Sequence, residues 1–306
     1  MAASSDPQAK IDRADKHIRA LARMILAFRK LAYTVEAQPG FWREPVSGTN
    51  VDEVVILAQA TEDPPSLEWG PIIGDIAHGL RSALDQVAWS LSVAYQATLG
   101  NQPPPDPIPR SNRWRNIAFP ICRNGKDWGN LWGTKMWAAD PALKTVLERF
   151  QPYFCGKNPP DREPLAVLEE LWNIDKHRHL HLVNATIELR DVFSVEPFPD
   201  AGNIEFEVIS KRAPGELISP TEIGRARVVR RPDGTLTEPV VQVYTSPDSS
   251  ETTLMPIKAV SLPQVYMYPD LAVDVAFGQG APAYGGGVLK TLRSIRKTAQ
   301  NIVSAV

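Results

Sequence analysis

The chain has 306 residues, 43% of them hydrophobic and 22% charged, and its formal net charge is −2. This composition excludes a disordered chain and suffices for one large domain or two smaller ones with buried cores. The near-neutral balance excludes a surface that is basic throughout, and the two cysteines, Cys122 and Cys155, offer neither a disulfide framework nor metal-type spacing.

The opening MAASSDPQAKIDRADKH has no apolar signal-peptide core, and no stretch approaches the ~18 apolar residues of a membrane span. A reduced, cytoplasmic protein with no membrane partner is the expectation. Charge is uneven along the chain. Residues 1–33 carry a net +4, residues 286–306 another +4, and the remainder −10. Two readings of the basic ends stay open: terminal helices docked on an acidic body, or a basic surface for a polyanion.

In chain order, residues 8–33 read as an amphipathic helix, with Ala14, Ile18, Leu21, Ile25, Phe28 and Ala32 at steps of three and four. Residues 51–60 (VDEVVILAQA) read as a strand, paired as a hairpin with residues 33–37. A long helix is predicted over 69–96, with Pro71 in its first turn. Residues 101–110 (NQPPPDPIPR) form a loop, because proline breaks both helix and central strand. The irregular segment 114–137 holds Trp114, Trp128, Trp132 and Trp137 and reads as a cap on a core, with a ligand platform as the alternative. Helices follow over 140–150 and 163–183. From 186 to 268 the pattern turns to short strands: IELRDVFSVEPF, NIEFEVIS, RARVVR, VVQVY and AVSLPQVYMY. A last helix over 287–304 carries the apolar stripe Val288, Leu292, Ile295, Ala299, Ile302.

Two helical segments concentrate polar chemistry. In GDIAHGLRSALD, Asp75, His78, Ser82, Asp85 and Trp89 share one stripe of an otherwise apolar helix. In the second segment, Asn173, Asp175, Lys176, His177 and Arg178 stand within NIDKHRHLH. If the two helices pack antiparallel, Asp75, His78 and Asp85 face Asn173, Lys176, His177 and Arg178 across the seam.

Three readings of that seam stay open. It is a buried hydrogen-bond and ion-pair network that fixes helix register. Or it is an acid–base or phosphate site, in which His78 or His177 titrates near neutrality and Arg81, Lys176 or Arg178 holds an anion. Or it is a site for a divalent transition metal built from Asp75, His78, Asp85 and His177. No cofactor is called for by the first two. No P-loop, nucleophile elbow or dinucleotide fingerprint is present.

GDIAHGLRSALDQVAW and LWNIDKHRHL, with Phe119–Pro120–Ile121 and Phe150–Gln151–Pro152–Tyr153 between them, resemble a family of uncharacterised bacterial proteins common in actinobacteria. The resemblance covers most of residues 10–185 and brings no activity with it. More distantly, the helices are similar to HEPN domains, helical bundles found in bacterial RNases, toxins and nucleotide-binding modules. That likeness implies a bundle fold, a phosphate-bearing ligand such as RNA or a nucleotide, or a protein partner, and a homodimer. Arg81 matches the phosphate-holding arginine of the catalytic HEPN motif. Gln86 stands five residues on, within the span where the motif has histidine, and a Gln cannot act as acid or base, so His177 would have to replace it.

The expected fold is α+β: a HEPN-like helical bundle with an antiparallel β module and a C-terminal helix returning to the bundle. The expected division is 1–185 for the bundle with its small hairpin, 186–284 for the β module and 285–306 for the final helix. The leading functional expectation is a module that binds a phosphate-bearing ligand or a protein partner. The alternatives are an RNA- or nucleotide-directed hydrolase using Arg81 with His78 or His177, and a metal-dependent hydrolase.

Overall fold

A computed structural model describes residues 6–29, 33–40, 51–104, 108, 112–156, 158–175, 180–186, 193–195, 205–207, 221–229, 241–243 and 273–306. The chain is α+β and divides into two compact units. A helical unit comprises residues 1–23, 65–181 and 279–306, and a β unit comprises 24–64 and 182–278.

Helix α1 (Pro7–Arg29) begins where the Asp6 carboxylate accepts from the Gln8 N–H, and it buries Ala14, Ile18, Leu21 and Ile25 of the predicted stripe together with Ile11, while Phe28 is half-buried and Ala32 lies outside the described residues. It ends before the predicted Tyr33, which already opens strand β1 (Tyr33–Gly40). Strand β2 (Val51–Ala60) follows as predicted.

Helix α2 (Ser66–Thr98) starts three residues earlier than its sequence pattern suggests, so Pro71 falls in the second turn rather than the first. Gly100, with φ +75°, closes it by donating its N–H to the Ala97 carbonyl. Ile73, Ile76, Ala77, Leu80, Ala83 and Leu84 are buried, so α2 is a central helix.

The tryptophan-rich segment is more regular than predicted. After a 3-10 turn at Arg113–Asn116, helix α3 (Gly125–Lys135) begins at Asn124, whose side chain accepts from the Asp127 N–H while donating to the Asp127 carboxylate. That cap is legible in Asn124–x–x–Asp127 and went unread because the glycines at 125, 129 and 133 lower helix propensity. Trp89, Trp114 and Trp137 meet edge-to-face, with centroids 5.3 and 5.7 Å apart, which caps this end of the core.

The helix predicted over 140–150 is the shorter α4 (Leu143–Glu148), and an unpredicted short helix, α5 (Pro152–Cys155), follows it with Pro152 at its first position, where a missing N–H costs nothing. Helix α6 (Pro164–Asp175) buries Leu165, Ala166, Val167, Leu168 and Leu171 and packs on α2. The predicted helix does not reach its expected end at 183, because Leu182–Thr186 forms a strand, β3. After the β unit, helix α7 (Val288–Ala305) returns and buries all five predicted stripe residues. It packs against α2 and α6.

The β unit contains β1, β2, β3, β4 (Phe193–Val195), β5 (Glu205–Glu207), β6 (Thr221–Val229), β7 (Val241–Val243) and β8 (Val273–Phe277). One antiparallel sheet runs in the order β1-β2-β6-β5, and β3 pairs with β8 and β4 with β7. The sequence assigns the β1–β2 hairpin to the bundle. The structure assigns it to the β unit, because β2 is in register with β6 from Val51↔Val229 to Ala58↔Thr221. A lone two-stranded hairpin is marginal in water, and pairing with β6 completes its open edge. The predicted strand AVSLPQVYMY lies outside the described residues.

Candidate functional site

The α2–α6 seam is where the two polar motifs were expected to meet. From α2, Arg81 is buried, and its Nη2 donates to the Phe119 carbonyl at 2.8 Å and lies 3.1 Å from Asp85 Oδ1. Asp85 Oδ1 in turn accepts from the Phe119 N–H at 2.9 Å. The i, i+4 pair therefore acts as a two-pronged clamp on one residue of an extended segment. It satisfies both backbone groups of Phe119, as a neighbouring strand would. The Phe119 side chain is itself 1% exposed, so the clamp fixes a core residue.

A second clamp holds the same segment from the other side. Gln151, fully buried, accepts from the Cys122 N–H at 2.8 Å and donates to the Pro120 carbonyl at 3.1 Å. The elements Phe119–Pro120–Ile121 and Gln151–Pro152–Tyr153, noted in the sequence for their resemblance, are thus two halves of one hydrogen-bonded join.

From α6, Trp172 lies under the Arg81 guanidinium at 5.7 Å. Glu169, half-buried, faces both Arg81 and Arg123, and burial pushes its carboxyl above the usual range against the pull of those two guanidinium groups. Arg123 pairs with Glu170 at 2.6 Å and with Asp161 at 3.3 Å. Burial, with the nearby Asp127 and Glu169 carboxylates, pushes the Cys122 thiol up to about 11, so it is protonated at neutral pH and is no nucleophile. Glu169, Arg123 and Gln151 were missed by sequence reasoning. Arg123 and Gln151 sit on irregular segments where no periodicity points inward, and Glu169 is one of a Glu169–Glu170 pair whose orientations differ.

The other expected residues divide. Asp75, His78 and Asn173 are exposed, so the structure does not bring them into the seam beside Arg81. Ser82, on the same stripe, accepts from Lys10 of α1. The stripe turns from solvent toward α1, while Arg81, one step round the helix, is the residue that meets α6. Asp175 ends α6, and Lys176, His177 and Arg178 lie outside the described residues. Among the described residues, no group of three His, Cys, Asp or Glu side chains is placed to hold a metal ion. The seam therefore brings Arg81 and Asp85 together and adds Arg123, Glu169, Glu170 and Asp161, two cations among four carboxylates.

A different concentration of charge stands on the paired terminal helices. Gln8 and Gln300 exchange amide hydrogen bonds at 3.0 and 2.7 Å, and Asp15 of α1 reaches Arg296 Nε of α7 at 3.3 Å. These contacts set α1 and α7 side by side and antiparallel. Arg13, Lys16, Arg19 and Arg23 of α1 and Lys290, Arg293 and Lys297 of α7 are all exposed. With Lys10 and Arg296, nine basic residues stand against only Asp12 and Asp15 over residues 7–23 and 288–305. The two basic ends of the sequence thus form one basic face.

No family model, curated protein or solved structure matches this chain. Among the described residues, no helix is long and apolar enough to cross a membrane.

Proposed function

We propose that this chain is a non-catalytic, HEPN-like helical module that binds a phosphate-bearing ligand, RNA foremost, through the face shared by α1 and α7. The observation that carries this reading is the pairing of the two termini, 292 residues apart at Gln8 and Gln300, into one positively charged surface. Cations solvated on such a face attract a polyanion and release its counterions on contact. Charge balance in the seam favours the non-catalytic form of the reading. Arg81 and Arg123 are already surrounded by Asp85, Asp161, Glu169 and Glu170, and a further anion there meets carboxylates as well as guanidinium groups. The HEPN-like assignment rests on α1, α2, α6 and α7 forming a helical unit with the resembling motif on its central helix.

Fluorescence anisotropy of the full chain with a labelled RNA tests the proposal. With about five phosphates neutralised, affinity falls on the order of 100-fold between 50 and 200 mM salt. Absence of binding at the lower salt concentration overturns the reading.

A further inference from the structure

We infer that the occupant of the α1–α7 face is a double-helical nucleic acid gripped along its two phosphate strands, and not a single strand held by its bases. This inference rests on the reading of that face as phosphate-binding and names the form of the ligand.

The cations stand in two rows. On α7, Lys290, Arg293 and Lys297 follow steps of three and four and share one stripe opposite the buried Val288–Leu292–Ile295–Ala299–Ile302 stripe. Its length is about 10 Å at the rise of an α-helix. On α1, Arg13, Lys16 and Arg23 stand away from the buried stripe over about 15 Å, with the exposed Asp12 among them. Packed helices lie roughly 8–10 Å apart, so the rows run alongside each other as two separate lines of charge.

Between the rows the positive charge is partly offset. Asp15, with its side chain 18% exposed, pairs with Arg19 on its own helix and with Arg296 across the seam. The result is a floor of one carboxylate between two guanidinium groups, flanked by two rows of solvent-exposed cations. A duplex presents the complementary pattern, two strands of phosphate separated by a groove. A single strand presents one line of phosphates and gains its affinity from bases stacked on aromatic rings. Neither residues 7–23 nor residues 288–305 contain a Phe, Tyr or Trp. Over these two stretches the face offers phosphate contacts and no aromatic ring, so contacts made there read no sequence.

The test uses the intact chain and three probes at one salt concentration: a short RNA duplex, one of its strands alone, and vesicles containing an anionic phospholipid. The duplex is expected to bind at least ~10-fold tighter than the strand, with no dependence on base sequence. Reversing either row, K290E/R293E/K297E or R13E/K16E/R23E, is expected to weaken duplex binding at least ~10-fold each, with the melting temperature of each variant confirming that it folds. A single strand bound as tightly as the duplex overturns this inference and leaves the phosphate-binding reading standing. Loss from only one row overturns the two-strand grip. Binding to vesicles without binding to either nucleic acid overturns both readings.

Discussion

The α2–α6 seam and the α1–α7 face both collect charged side chains, and they use them in opposite ways. In the seam, Arg81 Nη2 and Asp85 bond the backbone of Phe119, and Arg123 donates to Glu170 and forms an ion pair with Asp161. On the terminal face, Lys16, Arg23, Lys290 and Lys297 stand in solvent. Burial is the cause of the difference. A charge removed from water needs a partner, whereas an exposed one keeps its hydration until a ligand displaces it. A polar motif on a buried helix is therefore weaker evidence for a binding site than a plainer row of lysines and arginines outside.

The contrast can be broken most directly at Asp85. Asp85→Ala leaves the Phe119 N–H without its acceptor and Arg81 without its paired counter-ion, with only Glu169 nearby, and is expected to lower stability by about 2–3 kcal/mol; the value sits at the lower end for a buried pair because Asp85 is partly solvated. Denaturant unfolding measures this, and an unchanged midpoint would show that the clamp carries no weight.

A smaller effect is expected at Glu169. Its folded pKa lies above the ordinary value because burial disfavours the carboxylate. The associated stability is fully present below the ordinary carboxylate pKa and is lost as pH rises through the raised folded value. Glu169→Gln removes that loss. The melting temperature of the variant should therefore exceed that of the wild type at about pH 7, with the gap closing toward about pH 4. A gap that is constant with pH would contradict the role assigned to burial.

The smallest effect is expected on the exposed part of the same motif. His78→Ala should change stability by no more than about 0.5 kcal/mol, since surface substitutions away from caps and buried networks rarely do more. A loss comparable to that of Asp85→Ala would place His78 in the network after all.

Much of the helical architecture was legible from periodicity. The stripe of α7 is buried residue for residue as spaced, that of α1 is buried from Ala14 to Ile25 with Phe28 only half-buried, and β2 spans the predicted Val51–Ala60. These readings succeed because an amphipathic pattern encodes which face must leave water, whatever it packs against. Boundaries were legible only where a local signal marked them. The strand at Leu182 had no such signal, because the polar stretch before it carries neither Gly nor Pro.

The sequence by itself determined that the chain is α+β, that its ends are basic, and that Arg81 and Asp85 share a turn of a largely apolar helix. Only the tertiary structure decided that Phe119 occupies that pair, that Asp75 and His78 look outward, and that α1 and α7 lie together as one basic face. The physical reason is range. Helix periodicity and net charge are local sums that a sequence displays, whereas the Asp15–Arg296 contact joins residues far apart in the chain and follows from how the apolar stripes pack.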